Sequence, residues 1–80
     1  MNVYMMTDME GISGIRSPDE TEPDTPNYEA ARRFLCGDIN AAVAGAFDGG
    51  ATEVLVRDGH YSGFNIILDL MDPRALYVGR

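Results

Sequence analysis

The chain has 80 residues, and a domain of that size buries only about 60 to 65% of the surface its unfolded form exposes, so its core must be thin. Thirteen acidic residues stand against six arginines and no lysine, and the formal net charge of -7 excludes the basic surface that nucleic-acid binding requires. The single cysteine, Cys36, forbids an intrachain disulfide and leans toward a cytoplasmic protein, while no apolar run approaches the roughly 20 residues of a membrane span.

Met1 to Thr7 lacks the basic start and small-residue cleavage pattern of a signal peptide. Within it, Asn2 to Thr7 is a short apolar run with β-branched and aromatic members that ends at a charged, glycine-containing turn, which predicts a buried strand with Met5 and Met6 in the core. Ser17 to Pro26 follows, with three prolines and four carboxylates. It reads as a solvated, flexible surface loop, with a lid over a neighbouring site as the lesser alternative.

A helix is expected from Asn27, whose side chain can cap the first free amides, to about Phe47. Leu35, Ile39, Ala42, Val43 and Ala46 fall on one apolar stripe, and Cys36 lies close to it as a small core or boundary side chain. Glu29 and Arg33 stand four apart on another face. Gly49-Gly50 ends the helix, because glycine takes up the left-handed terminal conformation at little steric cost. Thr52 to Val56 is a second strand. Asn65 to Leu70 is ambiguous, with a short helix favoured, and Asp72-Pro73 stops it. Ala75 to Val78 is a third strand. The resulting β-α-β-α-β order implies a Rossmann-like α/β fold with parallel strands.

In such sheets ligands bind beyond the carboxyl ends of the strands. Asp8-Met9-Glu10-Gly11 follows the first strand and Asp58-Gly59-His60 follows the second, so Asp8, Glu10 and His60 converge if those strands are neighbours. In extended backbone, residues two apart point the same way, which would aim Asp8 and Glu10 at one site and send Met9 into the interior. Two carboxylates and an imidazole suit zinc and related ions and leave a position for water. Each piece also has a plainer reading. An Asp-x-Glu pair suits a solvated turn, a single histidine after a strand is often structural, and Asp58 is either a turn former or a hydrogen-bond partner of a neighbouring group. Tyr28, Glu29, Arg32 and Arg33 at the helix start suit solvated pairing, with substrate orientation as the alternative.

Asp8 to Gly14 (Asp-Met-Glu-Gly-Ile-Ser-Gly), Asn27 to Glu29, Ala46 to Val56 and Asp58 to His60, taken in register, resemble the start of the bacterial D-aminopeptidases of the dipeptide-operon type. The resemblance implies that residues 1 to 80 form the amino-terminal segment of a D-aminopeptidase-like domain. It further implies a zinc-dependent enzyme acting on short peptides with amino-terminal D-residues, two zinc ions per active site and a ring-shaped homo-oligomer. Asp8, Glu10 and His60 match metal ligands of that family, Asp8 as a bridge between the ions. The family's remaining ligands and its catalytic histidine lie further along, so no catalytic residue is expected in this segment, and 80 residues alone would hold an incomplete site without peptidase activity. The acidic, proline-containing loop departs from the family pattern. Two further readings stand beside this one: a Mg²⁺-dependent phosphohydrolase of the haloacid-dehalogenase kind, suggested by a strand ending in Asp-x-acid-Gly, and a non-catalytic metal-binding or assembly fragment.

Overall fold

A computed structural model describes residues 1–79. Strand β1 (Asn2–Thr7) leads through one 3-10 turn (Pro18–Thr21) to helix α1 (Tyr28–Asp48), which returns the chain to β2 (Glu53–Asp58). A second 3-10 turn (Leu68–Leu70) precedes β3 (Leu76–Val78). The sheet order is β1-β2-β3, and both pairings are parallel. The α/β class with parallel strands therefore stands.

Helix α1 lies over one face of the sheet. Ala31, Leu35, Cys36, Ile39 and Val43 form its buried stripe and meet Val54 and Val56 of β2, with Met9 sealing the end of the cluster. Each fully buried Val or Leu side chain contributes about 1.5–3 kcal/mol relative to exposure, so this single layer supplies most of the driving force. Ala42, placed on the stripe by spacing, is exposed. It borders a groove of about 510 Å³ between α1 and the edge of β1, which pairs only with β2 among the described residues.

Several local expectations are corrected. Asn27 makes no side-chain cap: its backbone is already helical (φ -92°, ψ -1°), whereas a capping side chain reaches the next amides only from extended backbone. The turn before it does part of that work, since the Tyr28 amide donates to the Thr25 carbonyl at 3.2 Å. Glu29 pairs with Arg32 at 3.1 Å rather than with Arg33. Strand β1 is covered on one face only, so Met5 packs against the core while Met6 is 70% exposed. The expected helix at Asn65–Leu70 is a single 3-10 turn. Asp58 grips the amides of Asn65 and Ile66, Ile67 is held extended (φ -95°, ψ 98°), and Pro73 follows, which leaves room for one turn only. No helix is long and apolar enough to cross a membrane among the described residues.

Candidate metal centre

The parallel register sets the site. Thr7 is the partner of Asp58, so the ends of β1 and β2 lie side by side and the residues that follow them share one edge of the sheet. The junction is tight. The Gly59 amide donates to the Thr7 carbonyl at 2.9 Å, and a Cβ on Gly59 would stand 2.7 Å from that same oxygen. Glycine is required there by the close approach of two backbones.

Beyond this junction the side chains of Asp8, Glu10 and His60 turn to a common point, with one ligand atom from each lying within 4.8 Å of the others. Asp8 Oδ1 is 2.8 Å and Glu10 Oε1 3.5 Å from His60 Nδ1. Met9 between the two carboxylates is fully buried as expected and anchors both of them to the core, but through a bend at Met9 and a turn at Glu10 and not through the extended backbone that alternation assumes. The carboxylates themselves are exposed and the imidazole is buried.

The other ring nitrogen of His60 constrains the protonation of this cluster. Nε2 lies 2.8 Å from the backbone oxygen of Thr21. A carbonyl only accepts hydrogen bonds, so Nε2 carries a proton and donates it. A neutral imidazole then presents the lone pair of Nδ1 to two carboxylates. Three acceptors facing one another need a cation among them or a second proton on the ring. Burial pulls the His60 imidazole toward neutrality, but the Thr21 carbonyl, the Asp8 carboxylate and the charges of Glu10 and Asp8 outweigh it and hold its pKa above the ordinary value. For Asp8, burial raises the pKa, while the hydrogen bonds with His60 and the Met9 amide more than offset this and hold it below the usual carboxylate value. The cluster thus favours bound positive charge.

The acidic segment does more than cover surface. Thr21 is fully buried, its hydroxyl donates to the Pro18 carbonyl at 2.6 Å, and its own carbonyl meets His60. Tyr61, stacked at a tilt 4.4 Å from the His60 ring, donates its hydroxyl to Glu22 at 2.6 Å. The segment is therefore docked on the site from behind at Thr21 and Glu22, and the expectation of a flexible loop is corrected at these two residues.

Asp58 is a hydrogen-bond partner of its neighbours. It is buried and accepts from the Asn65 and Ile66 amides at 2.7 and 2.8 Å and from Asn65 Nδ2 at 2.9 Å. Asn65 was missed by sequence reasoning. Its side chain also donates to the His60 carbonyl and accepts from the Tyr28 hydroxyl, and its backbone oxygen accepts from Arg32 Nε at 2.8 Å. Tyr28 and Arg32 thus brace this corner from α1. An asparagine in a loop carries no signal for such a role, and neither does the backbone oxygen of Thr21.

Comparison with known proteins adds an independent line. The family model described as D-aminopeptidase, peptidase family M55, matches residues 1–79. A D-aminopeptidase of Bacillus subtilis (strain 168) is 43% identical over 77 residues, which cover 94% of this chain and 27% of that protein. Among solved structures, the Zn-dependent D-aminopeptidase DppA from Bacillus subtilis, a self-compartmentalizing protease, superimposes with a TM-score of 0.95 at 37% identity. That match covers 99% of this chain and 29% of the other. The chain therefore spans a little over a quarter of the length of the relatives it matches.

Proposed function

The chain belongs to the D-aminopeptidase family, which its model matches over residues 1–79, and from that premise we propose that Asp8, Glu10 and His60 are this chain's share of a zinc centre in a peptidase that removes amino-terminal D-residues from short peptides. The observation that carries the reading is the convergence of three acceptor atoms within 4.8 Å of one another at the carboxyl edge of a parallel sheet. Two oxygens and one nitrogen are a donor set that zinc accepts. When bound, the metal supplies Lewis-acid polarisation of a scissile carbonyl and a water acidic enough to ionise near neutral pH.

In this reading Asp8 and Glu10 supply negative charge at the mouth of the site. His60 supplies a neutral donor from its buried side, and Met9 keeps the two carboxylates at fixed spacing. The complete site would take two zinc ions, Asp8 being among the residues that would hold them, and we place the remaining ligands and the catalytic residues in the part of the relatives' length that this chain does not span. Residues 1–80 are then the amino-terminal segment of a larger D-aminopeptidase-like domain, cytoplasmic and assembled as a homo-oligomer. The self-compartmentalizing assembly described for the Bacillus subtilis relative supports the last of these points. The phosphohydrolase alternative leaves His60 without a role, although its ring nitrogen stands 2.8 Å from Asp8.

The test is metal analysis of the purified full-length protein together with hydrolysis of a D-alanyl amide. About two zinc ions per chain and zinc-dependent cleavage are expected, with Asp8→Asn losing metal and most activity. Unchanged zinc content and activity in Asp8→Asn, or cleavage of a phosphate ester with Mg²⁺ in place of the amide, would sink the reading.

A further inference from the structure

A histidine offers a metal one of two nitrogens, and the group bound to the other decides which. Here the Thr21 carbonyl lies 2.8 Å from Nε2 and occupies it as an acceptor, while Nδ1 faces Asp8 and Glu10. Rotating the ring by half a turn about its bond to Cβ would put carbon atoms at both positions and lose both contacts. The ring is therefore held in one sense from behind.

The backbone that carries the ring is held as well. The His60 amide lies 3.4 Å from Asp58 Oδ1, and the His60 carbonyl accepts from the Gly63 amide at 2.9 Å and from Asn65 Nδ2 at 2.5 Å. Asn65 is 1% exposed and uses both ends of its amide, donating to Asp58 and His60 and accepting from Tyr28. Its amide orientation follows from these partners, because a carboxylate and a carbonyl can only accept. Asp58, Asn65 and Tyr28 thus form a chain of hydrogen bonds from the end of β2 to the first turn of α1, with the His60 peptide hung on its middle.

Resting on the zinc reading above, we propose that Asn65, through Asp58 and Tyr28, and the Thr21 carbonyl are positioning groups that present His60 to the cation through Nδ1 with Nε2 protonated. None of them touches the cation. Their effect is that the ligand atom of His60 is already aimed before metal arrives, so little ordering of the side chain is left to accompany binding.

The test uses the full-length protein with ¹⁵N-labelled histidine, and His60 is assigned by comparison with His60→Asn. Zinc alone is titrated in, and long-range proton–nitrogen correlations report which ring nitrogen changes. Nδ1 is expected to shift on zinc binding while Nε2 keeps its proton. Asn65→Ala should weaken zinc binding by about 10- to 100-fold, the usual effect of removing an outer hydrogen-bond partner. Tyr28→Phe, which keeps the ring and the fold, should weaken it by a smaller factor in the same direction. Binding through Nε2, or an Asn65→Ala protein that folds and takes zinc with unchanged affinity, would overturn the proposal and leave the zinc reading standing. If Asn65→Ala does not fold, unchanged affinity in Tyr28→Phe overturns the proposal equally. A His60 ring unmoved by zinc would instead remove the zinc reading itself.

Discussion

Gly59 shows how much of the site depends on one missing side chain. Its backbone passes so close to β1 that a methyl group would meet the Thr7 oxygen at 2.7 Å, well inside van der Waals contact, and the obstacle is backbone rather than a movable side chain. Gly59→Ala must therefore separate the ends of β1 and β2 by some tenths of an ångström. A cost of about 1–3 kcal/mol is expected, as for other overpacked positions, and urea denaturation measures it. Because Asp8 and His60 sit just beyond that junction, zinc affinity should fall along with stability. Retention of both would mean that the junction is looser than the 2.9 Å bond from Gly59 to Thr7 indicates.

At the scale of elements, α1 and β2 make most of the core, and Leu35 is the largest of the fully buried side chains of α1. Leu35→Ala should destabilise the protein by about 2–5 kcal/mol through lost burial and the cavity left behind. Thermal or chemical unfolding checks this, and a loss below about 1 kcal/mol would mean that the groove beside β1 lets the core collapse around the vacancy. These elements were legible in the sequence because burial on one face imposes periodicity, 3.6 residues in α1 and two in β2. The trio Asp8, Glu10 and His60 was legible for a topological reason, since parallel neighbours bring the residues after each strand to one edge. The segment from Asn65 to Leu70 was not. Its apolar residues suit either helix or strand, and its course is decided by Asp58, a side chain that lies outside it. The docking of Thr21 was equally hidden, because it acts through a peptide oxygen that every residue possesses.

For the whole molecule, the uncovered face of the sheet dominates. Tyr4, Met6, Leu76 and Val78 are 53%, 70%, 57% and 42% exposed, and the register aligns Tyr4 and Leu76 on either side of Leu55. Parallel sheets are ordinarily covered on both faces, and an apolar face of this kind invites association. Residues 1–80 produced alone should therefore self-associate with rising concentration in sedimentation experiments. Met6→Lys combined with Leu76→Lys should shift the population toward monomer. A wild-type segment that stays monomeric at every concentration would contradict this.

Asp8 and His60 are 52 residues apart in sequence, and only the pairing of β1 with β2 brings them together. In the proposed zinc reading, that long loop must close before a two-sided ligand set exists, so cation binding is coupled to the pairing of β1 with β2. If β1 and β2 pair after the transition state, a bound cation leaves the refolding rate unchanged and slows unfolding. The proposed site would in that case act on the lifetime of the folded chain.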